Sequence, residues 1–241
     1  MKQFRPLFNT LLKVRTFFIK LKYMKIYLAS GNLNKKREMQ EIFSEHTIVI
    51  PKDEGIEFDP EETGTDFYQN SMIKAKALWD IVHCPVIADD SGISVNALNG
   101  VPGVWSSRYA GPDFHKGKPD GSKISQEEQN KFLIQELNQA IEKGVDSTYF
   151  PNGPRSAYYS CSMVLMINPT KFYIAQENFE GTLIEDVKDS RGQFGFGYDP
   201  IFFLPQFGKT AAEITPDEKN AISHRGKACA VIKKILENIK F

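Results

Sequence analysis

The run Pro85-Val86-Ile87-Ala88-Asp89-Asp90-Ser91-Gly92 constrains this chain more than any other stretch. Its apolar first half reads as a short buried strand, and Ser91-Gly92 reads as its end. Strand side chains alternate faces, so the two carboxylates point in roughly opposite directions. One can turn inward while the other reaches a crevice at the strand's carboxyl end, where open α/β sheets bind ligands. Two solvated acids in a loop are the plainer reading of an isolated Asp-Asp pair. The choice depends on what the rest of the chain supplies.

Upstream there is a strand, Lys25-Ile26-Tyr27-Leu28-Ala29, and Ser30-Gly31-Asn32 then turns into a helix from about residue 35 to 43. The unpaired N–H groups of a helix N-terminus form a place for anions. Ser30 and Asn32 can add donors there, and Lys35 a positive charge. The loop is neither a Walker loop nor a dinucleotide fingerprint, because the glycines of both are missing. A second strand spans 47–50, followed by the acidic loop Asp59-Pro60-Glu61-Glu62-Thr63-Gly64 and a helix from about 66 to 82. Asp66 and Gln69 fit a capping box. Phe67, Asn70, Lys74, Ala77 and Ile81 share one helical line, which Asn70 and Lys74 interrupt. Either the line lies at the edge of burial with a snorkelling lysine, or Lys74 is aimed at phosphate oxygens.

Downstream come the turn-rich Asn99–Gly103, then Trp105, Arg108 and Tyr109, and a polar loop over 112–125. A helix is expected over about 126–143 and a loop over 146–154. Two long strands, 157–167 and 172–179, then read as an antiparallel hairpin. In Gln193–Pro200 glycines alternate with aromatics, giving either a packed turn or flat rings available for stacking. Lys219–Lys227 opens a last helix whose apolar line runs through Ile222, Arg225, Cys229, Ile232, Leu236 and Ile239. An unpaired buried guanidinium is very costly, so Arg225 must meet a carboxylate or a ligand. His224 beside it reads as readily as a structural histidine.

The chain has 241 residues, 41% hydrophobic and 25% charged, enough to bury a sizeable core in one large or two small domains. Zero net charge gives no sign of wholesale nucleic-acid binding. The three scattered cysteines lack metal spacing and favour a reducing, cytoplasmic setting. No apolar run approaches the roughly 18 residues of a membrane span. The first residues differ: Lys2 to Lys25 holds seven basic residues and no acid, with Leu7, Leu11, Val14, Phe18 and Leu21 on one helical face. Such a helix lies on anionic membranes or serves in targeting. A dispensable extension before a true start at Met24 is preferred over membrane contact through residues 4–23. The expected organisation is therefore an extension over 1–23 and one catalytic domain over 25–241.

In chain order, Ser30-Gly31-Asn32-Leu33-Asn34-Lys35, Glu61-Glu62-Thr63-Gly64, Asn70-x-x-x-Lys74-Ala75, Ala88-Asp89-Asp90-Ser91-Gly92, Pro102-Gly103, Phe196-Gly197-Tyr198-Asp199-Pro200 and Lys219 through Gly226 resemble the non-standard purine nucleoside triphosphate pyrophosphatases, the inosine/xanthosine triphosphatase family. The resemblance covers the chain from about Lys25 onward. It implies an α/β fold: an elongated, two-lobed, mixed twisted sheet flanked by helices, with a cleft between the lobes. It also implies a homodimer that uses Mg2+ to hydrolyse a triphosphate to the monophosphate and pyrophosphate. Carried over by position, Ser30 to Lys35 form the substrate loop, and Lys74 and Lys219 serve the bound nucleotide. Asp90 becomes the proton acceptor and a metal ligand, with Glu61 the second metal carboxylate and Lys74 its catalytic companion. Ser91 contacts substrate, Phe196, Gly197, Tyr198 and Asp199 bind the nucleoside, and His224 with Arg225 reads the base. Asp66 and Gln69 depart from the Thr and Glu frequent in the family, and the loop over 112–126 is longer than usual.

The residues make chemical sense of these roles. Three lysines and helix N–H groups suit a substrate of about four negative charges. Carboxylates are hard ligands for Mg2+, which keeps several waters and bridges phosphates. Asp90 would deprotonate a water in line with the leaving pyrophosphate, and no serine or cysteine nucleophile is indicated. Asp89 reads as a supporting or additional metal carboxylate. Donors from His224 and Arg225 favour a 6-carbonyl purine over adenine, and Phe196 or Tyr198 can stack on it. Two other readings compete: a septum-protein-type nucleotide pyrophosphatase of other base preference, and a non-catalytic nucleotide sensor.

Overall fold

Three long strands set the frame of the computed structural model, which describes residues 23–109 and 124–239. β3 (Val86–Val95), β4 (Ser156–Asn168) and β5 (Lys171–Leu183) pair antiparallel along nearly their whole length. The last two are the hairpin that the sequence predicts. β1 (Lys25–Leu28) and β2 (Thr47–Val49) add parallel strands on the β3 side, and β6 (Phe202–Leu204) and β7 (Lys209–Thr210) extend the β5 side. The result is one mixed seven-stranded sheet in the order β2-β1-β3-β4-β5-β6-β7. The basic segment 1–22 and the polar loop through residue 123 lie outside the described residues.

Among the described residues five helices cover the sheet: α1 (Leu33–Ile42), α2 (Phe67–Val82), α3 (Gln126–Glu142), α4 (Pro216–Ile222) and α5 (His224–Asn238). At one end, α1 and α5 bury Met39, Phe43, Cys229 and Ile232 with Ile26, Ile87 and Met163 on one sheet face. On the opposite face, Ala75 and Leu78 of α2 pack on Val86, Ala88 and Val164. At the other end, Leu133 and Leu137 of α3 join Ile93, Tyr159, Phe179 and Phe202 in a separate core. The first two clusters sandwich the sheet in one lobe, and the third is the core of the other. The long strands run through both, and Asp89 to Gly92 fall where one gives way to the other.

Three local expectations are corrected. The Asp-Asp strand does not end at Ser91-Gly92; it continues to Val95, because β4 offers a partner as far as Ala157. Gly92 is required for close packing instead: a Cβ there would meet the Gly103 carbonyl and the side chain of Ser106, which closes the turn Gly103–Trp105. The first helix begins at Leu33 because Asn32 caps it, its Oδ1 accepting from the amides of Asn34 and Lys35. The expected C-terminal helix is two helices: Ser223 ends α4 and caps α5. Gly226 lets α5 meet the Asn220 carbonyl at a distance no Cβ would allow.

Candidate active site

The position of the carboxylate pair follows from strand lengths. β1 pairs with β3 only to Leu28 opposite Ile87, and beyond it β3 has a free edge among the described residues. That edge closes again at Ile93, whose N–H donates to Ser106 Oγ at 2.9 Å. Asp89, Asp90 and Ser91 therefore sit mid-strand yet open onto a gap left by a short neighbour, at the carboxyl end of β1.

Alternation divides them between two faces. Asp89 points with Ile87 toward α1 and α5. It is fully buried between Lys35 Nζ at 2.9 Å and Arg225 Nε at 3.3 Å. Burial alone would raise its pKa, but Lys35, Arg225 and Lys74 outweigh that and hold the carboxyl far below its usual range. Asp90 points with Ala88 toward α2. Its Oδ1 lies 3.3 Å from Lys74 Nζ and its Oδ2 accepts from Asn70 Nδ2 at 3.1 Å. Burial raises the Asp90 pKa, and Lys74 only partly offsets it. Burial works against the Lys74 ammonium as well, but Asp90, Asp89 and Glu62 outweigh it, and its pKa is raised.

The interrupted line on α2 thus faces the gap rather than the core: Asn70 and Lys74 are buried there, while Ile81 is exposed. Lys74 also holds Glu62 of the acidic loop at 3.2 Å, so Glu62 rather than Glu61 reaches this ammonium. Glu61 is exposed. Among the described residues no cluster of three or more His, Cys, Asp or Glu is arranged to hold a metal. The donor set here is two carboxylates, Asp90 and Glu62, sharing one lysine beside a third acid in the loop. Among the described residues each Asp90 oxygen carries one hydrogen bond and keeps a free lone pair. Such a set fits a hard cation that takes most of its ligands from water and phosphate, as Mg2+ does.

Across the free edge lies a pocket of about 240 Å³ whose wall includes Ser91, Tyr159, Phe196, Lys219, His224 and Arg225. Asn32 is on its rim. Arg225 meets the carboxylates that its place in an apolar line demands: Asp89, and Glu38 of α1 at 2.7 Å, with Nη2 donating to Ser91 Oγ at 3.1 Å. Three of its five N–H groups are thereby used. His224 stacks on Tyr159, with ring centroids 4.9 Å apart and nearly parallel planes. Burial, then Arg225 and Lys219, lowers its pKa well below the ordinary histidine value, so it is neutral, and its buried Nδ1 has no partner among the described residues.

The Phe196–Asp199 turn folds around Asp199, whose Oδ2 accepts from the Phe196 amide at 2.8 Å and from Lys219 Nζ at 2.5 Å. Gly195, at φ +77°, lies against this carboxylate, where a side chain would collide with it. Of the two candidate stacking rings, Phe196 is 46% exposed, whereas Tyr198 is buried and donates to the Ser106 carbonyl at 2.7 Å. Lys219 sits beside Phe196 and Asp199, on the pocket side, apart from the Lys35 and Lys74 pairs. In the Ser30–Lys35 loop, Ser30 Oγ accepts from the Asn32 amide and Asn32 caps α1, and among the described residues the N–H groups of Gly31 and Leu33 have no hydrogen-bond partner.

Glu38, Ser106 and Tyr159 contact or line this candidate site without having been singled out in the sequence, and Glu62 stood there only as a member of the acidic-loop motif. Glu38 carried a signal, three residues beyond Lys35 on one helix face. Tyr159 carried none, because its role depends on packing under α5.

The match to the Ham1 family model spans residues 26–235. The chain belongs to the Ham1 family. It is similar to the dITP/XTP pyrophosphatase of Treponema denticola, 51% identical over 214 residues that cover 89% of this chain and 99% of that protein. The solved structure of a HAM1 protein from Coxiella burnetii superposes with a TM-score of 0.74 at 36% identity, covering 90% of this chain and all of the other. A nucleoside-triphosphatase / dITP/XTP pyrophosphatase from Mycobacterium abscessus does so with a TM-score of 0.63 at 31% identity, covering 87% and 98%. The family match runs from within β1 to near the end of α5, and the segment before residue 26 lies outside it.

Proposed function

We propose that this Ham1 protein hydrolyses dITP, ITP and XTP to the monophosphate and pyrophosphate. The observation that carries the reading is the free edge of β3. On one side it presents a raised-pKa carboxylate beside a buried lysine, and on the other a pocket with an exposed ring and unpartnered polar atoms. The base would stack on Phe196 in that pocket, with Tyr198 holding the turn. Neutral His224 and the two spare N–H groups of Arg225 would face the purine edge. A 6-carbonyl accepts from such donors, and an adenine amino group leaves them unpaired.

The triphosphate would then run past Ser91 toward Lys35, the free amides of Gly31 and Leu33, and Lys74. Asp90 would take the proton from an in-line water as pyrophosphate leaves, because a carboxyl with a raised pKa is the better base. Lys74 would balance charge between Asp90 and the phosphates. Asp90 and the loop acids Glu61 and Glu62 would hold Mg2+, which supplies charge neutralisation on the phosphates when bound. Asp89 has a different part from the metal role considered above: it neutralises Lys35 and Arg225 and fixes both.

The buried free thiols Cys161 and Cys229 support a reducing, cytoplasmic setting. Among the described residues no helix is long and apolar enough to cross a membrane. Homodimer formation rests on the family resemblance. The deciding experiment measures pyrophosphate release from dITP, ITP, XTP, GTP, ATP and TTP with and without Mg2+. Selective release from the first three supports the reading. Equal turnover of ATP overturns the base selection, and no turnover favours a nucleotide sensor.

A further inference from the structure

We propose that Asn70 is a positioning residue that ties the acidic loop Glu61–Gly64 to Asp90, so that loop and carboxylate are set as one unit; this rests on the pyrophosphatase reading above. Asn70 is 2% exposed and makes two hydrogen bonds of opposite sense. Its Oδ1 accepts from the Gly64 amide at 2.8 Å, and its Nδ2 donates to Asp90 Oδ2 at 3.1 Å. The partners fix which way the amide faces, since a backbone N–H can only donate and a carboxylate can only accept.

Few side chains could replace it. Aspartate offers no donor to Asp90, leucine offers neither bond, and the single hydroxyl of serine cannot span both partners. The loop approaches closely enough for this because residue 64 is glycine. A Cβ there would stand 2.6 Å from Asn70 Oδ1 and 2.7 Å from Gln69 Cβ.

The loop has other ties to α2. The Thr65 amide donates to Gln69 Oε1 at 3.1 Å, and Glu62 pairs with Lys74. Asn70 joins the loop directly to β3. It therefore couples the acids of the loop to the carboxylate opposite them, and it also fixes one Asp90 oxygen so that the other faces Lys74. Burial of an amide with both groups satisfied gives a rigid link, whereas half of it would leave a buried polar atom unpaired.

The test compares wild type with Asn70→Asp, Asn70→Ala and Gly64→Ala. It reads hydrogen exchange of the segment around Gly64, the Mg2+ concentration for half-maximal rate, and kcat and KM for dITP. N70D keeps the acceptor for Gly64 but loses the donor to Asp90. Its loop should stay protected while kcat falls about 30-fold and KM changes less than about threefold. N70A loses both bonds, so exchange around Gly64 should rise about 10-fold, and the Mg2+ requirement should rise about 10-fold with it. G64A changes no site side chain chemically, but its Cβ would crowd Asn70 Oδ1 and push the loop off α2, so it should reproduce the N70A exchange and Mg2+ effects. Wild-type kcat in N70D, or a protected loop with unchanged Mg2+ response in N70A and G64A, would overturn the proposal. If circular dichroism shows that the Asn70 variants do not fold, G64A decides alone. A wild-type protein that releases no pyrophosphate from dITP refutes the functional reading, while the exchange measurements still decide whether Asn70 holds the loop.

Discussion

The two faces of β3 at Asp89 and Asp90 carry the same side chain in adjacent positions and treat it in opposite ways. Toward α1 and α5 the carboxylate is fully buried and enclosed by two cations. Toward α2 it is partly accessible, shares one lysine with another acid, and has its pKa pushed up. The first arrangement favours a permanent anion, the second a carboxylate able to take up a proton. A strand can hold both because its alternation separates neighbours onto different sides of the sheet.

The largest expected effect comes from Asp90→Asn. If this face does the proton transfer, turnover of dITP falls about 10³-fold while nucleotide binding, followed by calorimetry, persists. Near-normal turnover would remove Asp90 from the role of base. Asp89→Asn should break the other face. It leaves Arg225 and Lys35 buried short of an anion, and stability should drop by about 3–5 kcal/mol in urea unfolding. A loss of activity without loss of stability would show that Asp89 acts chemically rather than by holding its neighbours.

The pH dependence of stability in EDTA sharpens the contrast. The folded pKa of Asp89 is depressed below the ordinary 3.8, so its stabilisation is full above that value and is lost only as pH falls through the lower, folded one. The Asp90 pKa is raised by burial, so folding penalises its charged form relative to the unfolded chain. The contribution of Asp90 is full below its unfolded value and is lost as pH rises through the folded one. D90N should therefore match or exceed wild-type stability at pH 7, with any gain shrinking toward pH 4. The D89N deficit should persist over that whole range. Parallel curves for the two variants would erase the distinction between the faces.

Much of this was legible in the sequence where a residue type conflicts with its pattern. Arg225 in an apolar line had to meet a carboxylate or a ligand, and Asn70 and Lys74 interrupting a helical stripe marked it as either edge-buried or functional. What stayed hidden depended on lengths and partners elsewhere. The free edge at Asp89–Ser91 exists because β1 stops at Leu28, which nothing within the Asp-Asp motif reveals. Ser91-Gly92 looks like a strand end, yet the tertiary partner β4 overrides the local turn signal. The order Glu61-Glu62 gives no means of telling which acid Lys74 will hold, since a one-residue change of loop path exchanges them. Phe196 and Tyr198 are equivalent as stacking rings until the Ser106 carbonyl is seen to accept from Tyr198.

That last pair gives the smallest effect and the finest test of the pocket side. Phe196 is half exposed and touches a cation, so Phe196→Ala removes a stacking surface with little loss of packing. An aromatic contact is worth about 0.5–1.5 kcal/mol beyond its buried area, so KM for dITP should rise several-fold to about 10-fold with kcat and melting temperature nearly unchanged. Tyr198→Phe keeps the ring and leaves the buried Ser106 carbonyl without its donor. It should cost about 1–3 kcal/mol of stability and leave KM close to wild type. Steady-state kinetics alongside thermal melts would separate the two. If F196A lowers stability and Y198F raises KM, the ring that meets the base is Tyr198, and the turn must open from its present form to present it.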